Sequence, residues 1–301
     1  MKILSGLGIA AAEHALLPDQ LVRLGIRKFC RERLAELPDV RGRDSWIKRI
    51  AKTMIESRIA EVPDLVNDQH YEVPISFFEA CLGPKLKYSC CFWNPEDDLA
   101  SAECRSLEAT CQHADLSDGQ EVLELGCGWG AVTLWIAEQY PNTTITAISN
   151  SVSQRLFIED RAHKKGLNNV RVITKDVNLF KPNRKFDRLV SVEMFEHVRN
   201  WEKLLRRMRR WLHKDGAALV HVFCHRDTPY FFESRSKTDW MASEFFSGGL
   251  MPSIDLIDWF DEDMTVDCRW TWSGNHYART AEAWLENLDQ KKKECELSLD
   301  G

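Results

Sequence analysis

Apolar residues recur at helical spacing through the first 85 positions. Leu21, Leu24, Ile26 and Phe29 form one set. Trp46, Ile47, Ile50, Met54, Ile55 and Ile59 form another, and charges surround both. This periodicity predicts two or three amphipathic helices, read as a cap and lid rather than a separate enzyme. Pro63 and Pro74 interrupt it around residues 67–74. From about 105 to 224 short apolar runs alternate with helical stretches. Strands are predicted at EVLELG (121–126), TTITAIS (143–149), VRVITK (170–175), FDRLVSVE (186–193) and AALVHVFC (217–224), with helices over 131–140, 151–165 and 200–213. Such alternation means βαβ units, and so an α/β fold whose mostly parallel sheet carries helices on both faces. We divide the chain into a helical cap and lid at 1–104 and a ligand-binding domain at 105–301. Residues 225–301 are less regular. There an aromatic, acidic insertion ends in SGGLMPS, followed by a predicted helix at 254–260, a strand at 264–272 and a charged helix at 280–296.

The net charge of −6 argues against a nucleic-acid partner. The ten cysteines are scattered apart from the adjacent Cys90 and Cys91, with no Cys-x-x-Cys pair and no ligand spacing with histidine. That pattern predicts a reduced, cytoplasmic chain without a structural metal. Residues 3–12 are apolar, but Glu13 and His14 cut the run short, so it reads as part of a helix and not as a leader. No stretch is long enough to span a bilayer.

Residues 121–130 read Glu-Val-Leu-Glu-Leu-Gly-Cys-Gly-Trp-Gly. A buried strand runs into alternate glycines, Gly126, Gly128 and Gly130, and a helical stretch follows. The spacing G-x-G-x-G differs from the dinucleotide fingerprint, and the acidic Glu124 stands inside the motif. In open α/β sheets ligands lie beyond the carboxyl ends of the strands. The polar groups at those ends are Ser149, Asn150 and Gln154 after strand two, Asp176 and Val177 after strand three, and His221 in strand five. Asp176 reads equally well as an acceptor for an adenine amino group or as a turn aspartate. After strand four come Glu193, Glu196 and His197, spaced i, i+3 and i+4, which on a helical turn puts them near one face. Two carboxylates and an imidazole can bind a cationic amine and remove its proton, freeing a nitrogen lone pair to attack an electrophilic methyl group. A helix-start glutamate with a packed histidine is the competing structural explanation.

The glycine motif resembles motif I of S-adenosylmethionine (SAM) methyltransferases. More narrowly, the chain resembles the plant coclaurine N-methyltransferase group, within the superfamily of cyclopropane fatty acid and mycolic acid cyclopropane synthases. The matching segments are NDQHYEVPISFF (67–78), KYSCCF (87–92), the glycine motif with Trp129, VEMFEHVRNW (192–201), VHVFCH (220–225), FFSGGLMPS (245–253) and GNHYART (274–280). The resemblance implies a Rossmann-like SAM methyltransferase fold with an N-terminal cap, and SAM consumed as methyl donor. It implies that Tyr88 and Ser89 close over the methionine end of SAM. Gly126 and Gly128 would contact its amino acid part, Gln154 the ribose and Asp176 the adenine. Glu193, Glu196 and His197 would surround the nitrogen of a small aromatic or cyclic amine.

In the cyclopropane synthases a bicarbonate base is held by positions matching Cys90, Glu196, His221 and Tyr277, and all four types are present. Cyclopropane-fatty-acyl-phospholipid synthesis, with peripheral lipid contact, is therefore the alternative. Three features tilt against it. Lipid-acting members carry a small residue in place of Glu193 and a glycine in place of Arg199, and they diverge from Val222-Phe223-Cys224-His225. Arg206, Arg207, Arg209 and Arg210 form a local basic patch, read as a solvated helix face. Family members continue for several dozen residues beyond the equivalent of Leu288, whereas this sequence stops at Gly301. On that basis strand 264–272 is expected to lack a neighbour. An open edge is compatible with a homodimer, or with a truncated, non-catalytic SAM-binding paralogue or isoform.

Overall fold

The computed structural model describes residues 2–39, 41–61, 73–234 and 239–299. Residues 67–72 of the first matching segment lie outside them. Five parallel strands form the central sheet: β1 (Glu121–Leu125), β2 (Thr144–Ser149), β3 (Val170–Thr174), β4 (Phe186–Val192) and β5 (Leu212–His221), in the order β3-β2-β1-β4-β5. β1 lies in the middle, with Leu123 opposite Thr146 on one side and Leu189 on the other. Its Val122, Leu123 and Leu125 are buried because helices cover both faces of the sheet.

On one face Val122, Ile145 and Val190 meet Leu107 and Cys111 of α5 (Leu99–His113) and Val132 and Ile136 of α6 (Ala131–Gln139). Helix α5 runs across the division expected at 104. On the other face Leu123, Ile148 and Leu189 share a core with α3 (Arg43–Glu56) and α8 (Trp201–Trp211). The buried α3 positions Ile47, Ile50, Ala51 and Met54 have the i, i+3, i+4, i+7 spacing of one helix face. The remaining elements before β1 are α1 (Lys2–Glu13), α2 (Asp19–Glu36) and α4 (Ile75–Cys81); α7 (Val152–Lys164) covers β2 and β3.

Helix α2 forms where the periodicity places it but buries none of its residues, and Leu21 and Leu24 are 51% and 55% exposed. Ion pairs tether it instead, Arg23 to Glu282 and Arg33 to Asp239.

The strand predicted over 264–272 is not formed, because no sheet among the described residues includes it. Its aromatic residues are used sideways. Trp270 stacks on His113 with ring centres 4.1 Å apart, and Trp272 stacks on Phe92 at 4.8 Å. Ring stacking thus holds the segment where backbone pairing was expected. The helix predicted at 254–260 is a 3₁₀ turn, Leu256–Phe260. The charged helix begins earlier than expected, as α9 (Gly274–Gln290) capped by Ser273, and is followed by α10 (Lys292–Leu299). The insertion contributes a short antiparallel pair, β6 (Tyr230–Phe231) and β7 (Leu250–Met251). Among the described residues no helix is long and apolar enough to cross a membrane.

Candidate active site

β1 ends in a turn that side chains would not tolerate. Gly126 has a φ of 78°, and a Cβ built on it would lie 2.7 Å from Met194 Cγ. Gly130 has a φ of 84° and caps α6, and a Cβ there would meet Ile158 Cγ1 at 2.6 Å. Only glycine takes this backbone without strain or collision. The backbone N–H groups of Gly126 and Cys127 both donate to the Ile148 carbonyl, which folds the turn onto β2. The cavity above it is lined by Gly126, Gly128, Glu124, Ser149, Asn150, Gln154, Asp176, Val177, Tyr88 and Ser89. Every candidate cofactor residue therefore faces one space.

Several of these groups have partners already. Ser149 Oγ donates to Gln154 Oε1 and accepts from Ser151 N at 2.9 Å. Gln154 Nε2, by contrast, is buried without a partner among the described residues. An unmet buried donor is costly unless a ligand oxygen completes it. Asp176 Oδ1 accepts from Asn178 N at 2.8 Å and from Asn178 Nδ2 at 3.0 Å, so it closes a turn as well as lining the cavity. Tyr88 packs edge-on to Phe78 and against Trp284.

Glu124 is buried and accepts from Thr133 Oγ1. Burial pushes its carboxyl up from 4.5 to about 7. The folded state thus favours the protonated form, and that contribution to stability is lost as pH rises through about 7. Glu124→Gln is expected to flatten the fall in Tm of ligand-free protein between about pH 5 and 8, worth on the order of 2–3 kcal/mol in the wild type. Parallel melting curves for the two proteins over that range would show that Glu124 is not the group responsible.

The acidic cluster is not the helical turn that its spacing suggested. Glu193 has a φ of 49°, in the left-handed region that a non-glycine residue seldom adopts, and a 3₁₀ turn begins only at Phe195. Each of the three groups has its own set of contacts. Glu193 Oε1 accepts from the Cys90 backbone N–H and Oε2 from the Tyr277 hydroxyl, both at 2.9 Å. Glu196 is 0% exposed; its Oε1 accepts from Phe223 N at 2.8 Å, while Oε2 has no partner among the described residues. His197 lines the cavity beside Glu193, and its ring stacks on Phe246 at 5.0 Å.

Burial, and then the charge of Glu193, lift the Glu196 carboxyl well above the usual range. Burial also raises Glu193, but the Lys87 ammonium opposes it. Burial thus pushes both carboxyls toward holding a proton, and Lys87 counters that push at Glu193. Burial raises the Tyr277 phenol, and it lifts the Cys90 thiol to about 12. The group of Cys90 that meets Glu193 is its backbone, not its sulfur. Burial, with Lys87 and His113, lowers His221 to about 3, which keeps its imidazole neutral.

Other residues build the site without showing in the periodicity. Lys87 is buried, and its Nζ donates to Ser89 Oγ and to the Cys90 carbonyl, both at 2.6 Å. Glu103 accepts the backbone N–H groups of Lys85 and Lys87 at 2.8 and 3.0 Å. Thr280 Oγ1 accepts from Cys91 N and Trp93 Nε1. A lysine and a glutamate inside apolar runs were the available signals. Arg199 joins three parts of the chain. Its N–H donates to the Ile59 carbonyl, its guanidinium donates to the Gly248 carbonyl at 2.7 Å, and it covers the ring of Phe231. The arginines of α8 are partly engaged too. Arg207 holds the carbonyls of Val177 and Asn178 beside Asp176, and Arg206 pairs with Asp263, Glu262 and Glu202. Among the described residues no cluster of His, Cys, Asp and Glu is placed to hold a metal ion.

Comparison with known proteins gives this geometry its context. Residues 62–300 match the family described as mycolic acid cyclopropane synthetase. The chain belongs to that family. Within it, this member is 38% identical over 286 residues to an (S)-coclaurine N-methyltransferase of Thalictrum flavum subsp. glaucum, covering 92% of this chain and 78% of that protein. It is 30% identical over 226 residues to the cyclopropane-fatty-acyl-phospholipid synthase of Escherichia coli (strain K12), covering 74% and 56% respectively. A crystal structure of a coclaurine N-methyltransferase bound to N-methylheliamine and SAH superposes with a TM-score of 0.91 at 35% identity, covering 94% of this chain and 83% of that one. This member of the mycolic acid cyclopropane synthetase family is a SAM-dependent methyltransferase with the expected Rossmann-like fold. Its cavity suits the donor chemically. The glycine turn presents bare backbone, and Gln154 offers a buried, unmet donor.

Proposed function

We propose that the chain transfers the methyl group of SAM to the nitrogen of a small aromatic or cyclic amine. The observation that carries this reading is the place of the Glu193 carboxylate. It sits between Cys90 N–H and Tyr277 O–H, two of the positions that the lipid-acting branch devotes to bicarbonate. A carboxylate tethered there gives the site a built-in anion. An alkene has no charge for such a group to meet, whereas an ammonium does. The named activity of the Thalictrum relative and the N-methylheliamine in the crystal structure support an amine acceptor.

SAM supplies an electrophilic methyl group on a sulfonium. Gly126, Gly128, Ser149, Asn150, Gln154, Asp176 and Val177 hold it, with Glu124 beneath, and Tyr88 and Ser89 close over one end. Glu193 anchors the ammonium, and Glu196, which burial favours in its protonated form, adds a hydrogen bond. His197 takes the proton from nitrogen, leaving a lone pair in line with the methyl group. The rings of Phe246, Phe223 and Tyr277 wall this side of the site, with centres 5.3 Å apart for the first pair and 6.2 Å for the second. Aromatic faces favour a cation.

Residues before 105 serve as cap and lid, since Ala60, Tyr88 and Ser89 line the cavity. Among the described residues no disulfide forms, which fits a cytoplasmic protein. The test is a mass-spectrometric assay with SAM, cyclic and aromatic amines, and unsaturated phospholipid vesicles, with and without bicarbonate. A single methyl gain on an amine, indifferent to bicarbonate, is expected. A bicarbonate-dependent methylene gain on lipid would move the chain to the other branch. Absence of product from folded protein would favour a non-catalytic SAM-binding role.

A further inference from the structure

Lys87 is a buried cation that the proposed mechanism leaves unused. It is 1% exposed and lines the same cavity as Glu193. Its ammonium donates to Ser89 Oγ and to the Cys90 carbonyl at 2.6 Å, and Cys90 donates its backbone N–H to Glu193 Oε1 at 2.9 Å. One residue therefore separates the ammonium from the carboxylate. Fully buried Glu103 fixes the backbone from which the lysine projects, accepting the N–H groups of Lys85 and Lys87. A hydroxyl and a carbonyl take two of the ammonium's three hydrogen bonds and carry no net charge, so the carboxylates within its electrostatic reach are those of Glu103 and Glu193. A buried charge needs an opposite one within reach.

We propose that Lys87 is a positioning residue for methyl transfer, its buried ammonium the resident countercharge that makes Glu193, and not Glu196, the anionic carboxylate facing the acceptor. This rests on the amine reading above. The titratable groups around Glu193 are Lys87, Tyr88, Cys90 and Cys91 on the 87–91 segment, Glu196 and His197 on the 3₁₀ turn, Tyr277 on α9, and His221 at the end of β5; burial raises the Cys91 thiol too. Burial keeps Tyr88, Cys90, Tyr277 and His221 in their neutral forms. Lys87 is the largest influence drawing Glu193 back toward ionisation. For Glu196 burial and the neighbouring Glu193 dominate, and both favour the neutral form.

Lys87→Met keeps the stem and removes the charge, so Glu193 takes up a proton at higher pH. The acid limb of kcat/KM for the amine is expected to move up by about one pH unit or more, with the Kd of SAM changed by no more than about threefold. Lys87→Arg restores a cation and is expected to return the limb toward the wild-type position even if turnover is lower. An unmoved limb in folded Lys87→Met overturns the proposal, as does loss of SAM binding without a change in carboxyl protonation. Infrared difference spectra read that protonation directly. Lys87→Met is expected to show an added carboxylic-acid band near neutral pH that disappears when Glu193→Gln is combined with it. Absence of the band also overturns the proposal. The infrared arm needs no turnover, so it tests the countercharge even if the wild-type enzyme methylates no amine, an outcome that would sink the amine reading alone.

Discussion

Replacing His197 with alanine is expected to lower kcat by about 10²- to 10⁴-fold near neutral pH, the range that positioned general bases supply. The affinity for SAM should stay within about threefold, because the imidazole is asked to act on the acceptor and not to hold the donor. The backbone of the turn does not depend on the ring: His197 N–H donates to the Met194 carbonyl and Val198 N–H to the Phe195 carbonyl. The defect should shrink as pH rises, since an amine that is already neutral needs no base. It should also shrink for acceptors of low basicity at fixed pH. Steady-state kinetics across pH, with calorimetric titration of SAM, reads all three effects. A variant that loses SAM binding would make His197 a packing partner of Phe246, and a variant that turns over like the wild type would end its assignment as base.

Gly126→Ala is expected to abolish useful SAM binding, with affinity down by at least about 10²-fold and a lower Tm. Two costs add there. The left-handed backbone costs roughly 1–2 kcal/mol for a residue with a Cβ. The new methyl would also lie 2.7 and 2.9 Å from Met194 Cγ and Cβ, inside any real contact. Met194 can yield only by disturbing its neighbours, Glu193 before it and the 3₁₀ turn after it. The damage should therefore reach the acceptor side. Gly128→Ala is the control, since its φ is also positive, at 51°, but nothing lies within 4 Å of its Cβ. Without SAM it should pay the backbone cost alone and melt measurably higher than Gly126→Ala. Titration and melting of the two variants side by side make the comparison. Equal losses of Tm would mean that the collision with Met194 is not what requires glycine at 126.

Five strands, their parallel direction and the glycine turn were legible because each shows in a local pattern. β1 carries Val122, Leu123 and Leu125, and β2 Ile145, Ala147 and Ile148, which puts apolar residues on both faces, as strands covered on both sides need. Gly126 and Gly130 show in sequence because their backbone angles leave no other choice. The misreadings have a physical pattern too. Residues 264–272 have the β-branched and aromatic composition of a strand, yet Trp270 and Trp272 stack flat on His113 and Phe92. Leu21 and Leu24 have helical spacing, but periodicity cannot tell whether a partner surface exists. Lys87 and Glu103 carry no periodic signal at all; their burial follows from what packs around them.

By itself the sequence determined the fold class, the carboxyl edge on which polar groups gather, and the chemical types available there. Those depend on neighbours a few residues apart, where periodicity and backbone angles speak. Only the tertiary structure decided which groups touch. Glu193 meets Cys90 across 103 positions and Tyr277 across 84. It does so from a left-handed backbone that helical spacing could not anticipate. The packing of α9 against the 87–91 segment brings these donors to one carboxylate. Burial then raises both glutamates, the charge of Glu193 raises Glu196 further, and Lys87 opposes the rise at Glu193, a distinction set by desolvation and nearby charge rather than by any local pattern of residues.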